Sequence, residues 1–166
     1  MSYDLNILCI NQNDASSLPF ASSIELRSEF DSLYYGRYSS IWPFTSSLKG
    51  VWYSLGKEED GWFNTMSIID ADFDKEAGRN LAPFWILDVD VLSNLSPMIV
   101  RDEHRRDLEK IIHFLIQQSS IKTIMFLARY QGGETEIIEG VLKYEEFIGL
   151  LRQSKILFNI CYIISD

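Results

Sequence analysis

Histidine and cysteine are scarce in this chain, at two residues each, and their scarcity excludes several chemistries. There is no C-x-x-C and no H-E-x-x-H. His104 and His113 stand nine residues apart, about 900° around a helix, so they point to opposite sides and do not chelate one metal together. Both are expected on the surface or rim of a helix. Cys9 and Cys161 lie in apolar runs near opposite ends of the chain, a setting for buried thiols and not for a disulfide framework. Basic residues are outnumbered, 15 Lys and Arg against 24 Asp and Glu, leaving a formal charge of −9. Such a field repels the nucleic-acid backbone and anionic lipid. No apolar run approaches the ~18 residues of a membrane span, and no basic segment precedes the short apolar stretch after Met1. The expectation is a cytoplasmic protein with neither nucleic acid nor membrane as partner.

Phosphate-binding motifs are missing as well. Gln131-Gly132-Gly133-Glu134 matches neither G-x-x-x-x-G-K-[ST] nor G-x-G-x-x-G, and its acid repels a phosphate. That weakens an acetyltransferase of the coenzyme A type, whose pyrophosphate rests on a glycine-rich turn opening a helix. No repeat, low-complexity run or Gly/Ser linker divides the chain, so its 166 residues read as a single domain, 1–166.

What is present is apolar and aromatic: 46% hydrophobic and 13% aromatic residues, enough for a packed core. Tyr3–Ile10 reads as a strand ending in a polar turn. Ser22 with Glu25 three residues on resembles a capping box, and Leu26, Phe30, Leu33 and Tyr34 recur with helical period, which predicts a helix ending near Gly36. Residues 39–49 read as an irregular connection. The runs 50–55 and 62–69 flank Asp60-Gly61 and predict a β-hairpin; with a strand over 84–91 they make a central β-meander. Ser96-Pro97 is expected to open the longest helix, whose stripe is Leu108, Ile111, Ile112, Leu115 and Ile116. A strand over 121–128, a turn, a helix over 144–153 and a strand over 156–164 complete the order β-α-β-β-β-α-β-α-β. The predicted fold class is α+β: a two-layer domain with helices on one face of a mostly antiparallel or mixed sheet.

Asp70, Asp72 and Asp74 have the D-x-D-x-D spacing that opens a calcium loop, but the sixth and twelfth loop positions hold Lys75 and Leu81 where an EF-hand requires Gly and Glu. No metal and no cofactor is assigned. On a strand, the spacing of two puts the three carboxylates on one face. Asp70, Asp72, Asp88 and Asp90 also admit an aspartate-based hydrolase if adjacent strands bring them together, although no companion motif supplies an electrophile. The arginines Arg101, Arg105 and Arg106 stand among Asp102, Glu103 and Asp107, a mixture typical of a solvated helix face.

Charge is concentrated. From Glu58 to Asp90 nine acids face two bases, so these 33 residues carry −7 of the total −9. Trp62, Phe63, Phe73, Phe84 and Trp85 lie in the same segment, with Trp52 and Tyr53 just before it. Aromatic side chains supply contact area, while an acidic field accelerates encounter with a basic partner. The candidate partner-binding residues are Glu58, Glu59, Asp60, Trp62, Asp70, Asp72, Asp74, Asp88 and Asp90. In size, acidity, aromatic content, element order and lack of catalytic motifs, the chain resembles the small acidic immunity proteins of bacterial toxin systems. That resemblance implies a non-enzymatic inhibitor that occupies the basic active site of a toxin domain. A hydrolase, a homodimerising regulatory domain and a small-ligand binder stand as alternatives.

Overall fold

The computed structural model describes residues 3–29, 49–72, 96–130 and 137–166. Nine strands lie within them: β1 (Tyr3–Ile10), β2 (Glu25–Glu29), β3 (Gly50–Glu59), β4 (Trp62–Asn64), β5 (Ile69–Ala71), β6 (Met98–Val100), β7 (Thr123–Tyr130), β8 (Ile137–Lys143) and β9 (Ile160–Ser165). Two helices accompany them, α1 (Asp102–Gln118) and α2 (Tyr144–Arg152). The main sheet has seven strands in the order β2-β3-β1-β7-β9-β8, with β4 also paired to β3. All its pairings are antiparallel except β8 with β9, which is parallel. The class is therefore α+β with a mixed sheet.

Strand alternation sorts the side chains onto two faces. Leu5, Ile7 and Cys9 of β1, Val51, Tyr53 and Leu55 of β3, Ile124 and Phe126 of β7, and Ile160, Tyr162 and Ile164 of β9 join one core with Leu108, Ile111, Leu115, Phe147 and Leu151 of the helices. The described helices thus lie on one face. Leu8, Ile10, Met125, Leu127 and Cys161 form a second buried cluster, against which Trp52 and Ile163 pack. Burial on both faces explains why β1, β7 and β9 read as almost continuous apolar runs and not as alternating ones.

Several boundaries differ from the sequence reading, each for a tertiary reason. Glu25–Glu29, predicted as helix, is the edge strand β2, pairing Leu26 with Leu55 and Arg27 with Ser54. Glu25 does not close a capping box: its carboxylate accepts from the Glu58 backbone N–H at 2.9 Å. The rest of that predicted helix, the connection over 39–48, the strand over 84–91 and the turn at 131–134 lie outside the described residues. The expected run 62–69 breaks after Asn64 into a 3-10 turn, Thr65–Ser67, which Asn64 caps by accepting from the Met66 N–H. The chain then leaves the main sheet, and β5 pairs with β6 in a second, two-stranded one. Pro97 does not open a helix; it forms a bridge with Leu157, and α1 begins after Arg101, whose backbone is extended. The strand β8 has no counterpart in the sequence reading. It and β9 are joined by α2, the crossover that parallel neighbours need.

The end of α1 is tied to β1. Ser119, fully buried, donates its hydroxyl to the Ile10 carbonyl at 2.6 Å. The loop after β1 is held by Tyr53, whose hydroxyl donates to Gln12 at 2.6 Å and accepts from the Ser16 N–H at 3.0 Å.

Candidate functional site: an acidic hairpin with one exposed tryptophan

Asp60 and Gly61 both take positive φ, 52° and 80°, the requirement of a two-residue type I′ hairpin turn, which is why Asp-Gly marks such turns. Register follows from the turn: Glu59 faces Trp62, Glu58 faces Phe63 and Lys57 faces Asn64. Alternation then sends the two aromatic side chains of β4 to opposite faces. Phe63 is half-buried and sits so close to Gly56 that a Cβ there would stand 2.9 Å from its ring. Trp62 is 78% exposed.

The acids on this hairpin differ in how they are engaged. Arg27, on β2, reaches Glu25 at 3.0 Å and Glu58 at 2.9 Å while its guanidinium lies 4.3 Å from the centre of the Phe63 ring. The Glu58 N–H and Arg27 hold the Glu25 carboxyl below its usual range. Glu59 accepts from the Ser67 hydroxyl at 2.8 Å and has Lys57 at 3.7 Å. Asp60, at the tip, has no hydrogen bond or ion pair among the described residues. Four carboxylates (Glu25, Glu58, Glu59, Asp60) thus meet two cations, and the tip keeps a negative surplus beside an uncovered indole.

Of the other sequence-predicted residues, Asp70 is exposed on β5, where its carboxylate accepts from the Ala71 N–H at 2.8 Å. Asp72 is half-buried just past β5, its backbone N–H bonded to the Pro97 carbonyl at 3.1 Å. Asp74, Asp88 and Asp90 lie outside the described residues, as do Phe73, Phe84 and Trp85. The structure therefore brings Glu58, Glu59, Asp60 and Trp62 together at one hairpin tip and places Asp70 and Asp72 on and beside the separate β5-β6 ribbon. Trp52 and Tyr53 are taken up by the two cores.

Sequence reasoning gives Arg27 no role, because the helical period of its segment conceals the strand that carries it. His104 differs from expectation too: it is 4% exposed and not at the rim, and its place four residues before Leu108, in line with the apolar stripe, is the signal that could have found it. His113 is exposed as expected. Around His104 stands a serine-histidine-aspartate group. The Ser23 hydroxyl oxygen is 2.7 Å from His104 Nδ1 and 2.7 Å from Asp107 Oδ2, and the Ser23 N–H donates to the same carboxylate oxygen at 2.8 Å. These two donors hold the Asp107 carboxyl below its usual range. Its ionised oxygen takes the hydroxyl proton, so the imidazole Nδ1–H must donate to the hydroxyl oxygen. In a nucleophilic triad the imidazole stands between serine and carboxylate and accepts from the serine. Here the serine stands in the middle, and the group staples the loop before β2 to α1.

Among the described residues no three His, Cys, Asp or Glu side chains converge on a metal-sized site, and no helix is long and apolar enough to cross a membrane. Comparison with protein-family models, with characterised proteins and with solved structures gives no match to this chain.

Proposed function

We propose that this chain is a protein-binding module of the immunity type, a cytoplasmic inhibitor that neutralises a cationic bacterial toxin by covering its active site without turnover. The observation that carries the reading is Trp62, 78% exposed near the tip of a hairpin, directly across from Glu59 and next to the Asp60-Gly61 turn, with Glu58 on the other face of the same hairpin. An exposed indole costs hydrophobic free energy in the isolated chain that burial against a partner recovers. Aromatic anchors of this kind dominate interface energetics, while the rim carboxylates steer encounter and fix register. A basic cleft built for a phosphate-rich substrate is complementary to this tip in charge, and Asp70, Asp72, Asp74, Asp88 and Asp90 extend the acidic character of the segment.

The test is to purify the product of the adjacent gene, assay its activity with and without this chain, and measure association at two ionic strengths. Loss of the toxin's activity in a stable complex, with association slowed by salt, is the expected result. An active product that ignores this chain overturns the reading. So does a chain that self-associates through the hairpin into a stable dimer, which returns the homodimerising alternative, or one that hydrolyses a substrate through Asp70 and Asp72.

A further inference from the structure

A groove of about 520 Å³ runs along the outer side of α1, and none of the hairpin's residues line it. Its floor is Phe114. One wall is Phe20, from the loop before β2, set edge-on to Phe114 with ring centres 6.4 Å apart. Tyr144, at the start of α2, also lines it, its ring meeting that of His113 at 5.4 Å. Arg106, Lys110 and His113 line one stripe of α1, the first two a single helical turn apart.

The charge of this groove runs against that of the molecule. Glu109 is among its lining residues, but both its oxygens are taken by Arg152, at 2.9 and 2.8 Å. The Asp107 carboxylate, which is not among the lining residues, is bonded by the two donors of Ser23 and keeps its charge, which Lys110 feels. Lys110 lies 5.6 Å from the Phe20 ring centre, and Arg106 has no ion pair among the described residues. Gln117 also lines the groove, and its side-chain amide donates to the Asp166 carboxylate at 3.4 Å. Two cations, Arg106 and Lys110, beside the rings of Phe20, Phe114 and Tyr144 suit a flat ring that bears a negative group. The volume is that of a small-molecule site, which runs to about 300–1,000 Å³.

We propose that this groove is a binding site for a small aromatic anion, a planar ring bearing a carboxylate or phosphate. The site is independent of the hairpin and of the inhibitor reading. Two sources share this chemistry, aryl carboxylates and nucleoside phosphates.

The probe is anilinonaphthalene sulfonate, an aromatic anion that fluoresces when bound, set against its uncharged analogue phenylnaphthylamine. The full chain is expected to bind the anion saturably and more tightly than the neutral ring. Arg106→Gln with Lys110→Gln, both exposed positions, is expected to weaken the anion about tenfold, the loss of roughly one charge-assisted contact, and to leave the neutral ring unchanged. Phe20→Ala weakens both probes, and Trp62→Ala changes neither, which separates this site from the hairpin. Displacement by adenosine monophosphate alone assigns nucleoside phosphates, displacement by naphthoate alone assigns aryl carboxylates, and displacement by both supports the shared chemistry. Equal binding of charged and neutral rings, an unchanged affinity in the doubly substituted chain, or resistance to both competitors overturns the proposal.

Discussion

Ser23 gives both of its polar hydrogens to a single oxygen of Asp107, the N–H at 2.8 Å and the hydroxyl at 2.7 Å. The pair joins the loop before β2 to α1 and orients the buried His104. Ser23→Ala is expected to cost about 1–3 kcal/mol, because the imidazole Nδ1–H loses its acceptor inside the protein. Asp107→Ala costs about 1 kcal/mol, since that carboxylate is partly screened by solvent. Urea unfolding of the two variants measures both, and equal stability to the parent chain would remove the staple.

The same contacts set an acid limb. Asp107 and Glu25 are held below their ordinary values of 3.8 and 4.5 in the folded chain, so the unfolded chain binds their protons more readily. Their stabilisation is complete above those ordinary values and is lost as pH falls through the lowered folded-state ones. Unfolding free energy measured from pH 6 down to about pH 2 is expected to fall less steeply in Asp107→Asn than in the parent.

Cys9 is fully buried, its thiol donating to the Leu115 carbonyl at 3.2 Å, and burial pushes its pKa up to about 12. Thiolate is the reactive form. Iodoacetamide at pH 8 is therefore expected to leave Cys9 unmodified in the native chain and to modify it once urea unfolds the protein. The raised value adds stability below the ordinary 9.0 that is lost as pH climbs towards about 12, so the fold weakens on the alkaline side. Rapid labelling under native conditions would contradict the burial.

Gly61 is at φ +80°, and a Cβ added there would meet nothing within 4 Å, so Gly61→Ala introduces backbone strain and no clash. A loss of about 1 kcal/mol is expected in urea unfolding. If partner binding rests on this hairpin, the same variant loses affinity beyond its loss of stability.

Trp62 and its acidic neighbours are expected to separate kinetically. Trp62→Ala should raise the dissociation rate with little change in association, because the indole is the anchor. Glu59→Gln with Asp60→Asn should slow association about threefold or more at low salt and leave dissociation nearly unchanged. Stopped-flow measurement at two ionic strengths reads both, and salt-independent association of the parent chain would contradict an acidic docking face.

Local chemistry and periodicity encode part of this molecule outright. Asp60-Gly61 sets a type I′ turn because only residues tolerant of positive φ close a two-residue hairpin, and the turn puts Glu59 opposite Trp62. The stripe from Leu108 to Ile116 determines α1, and the continuous apolar runs of β1, β7 and β9 record burial on two faces. The remainder depends on pairings between segments distant in the chain. Glu25–Glu29 carries a helical period but offers its backbone to β3, and a ladder with Leu55 outweighs a local propensity worth only tenths of a kcal/mol per residue. Met98–Val100 becomes a strand because Ile69–Ala71 is there to pair with it, and β8 forms against β9, on the far side of α2. The candidate site divides in the same way: the acids and the tryptophan stand at a turn legible in the sequence, whereas Arg27, the opposed fates of Phe63 and Trp62, and the aromatic groove on α1 exist only because the fold brings separate elements into contact.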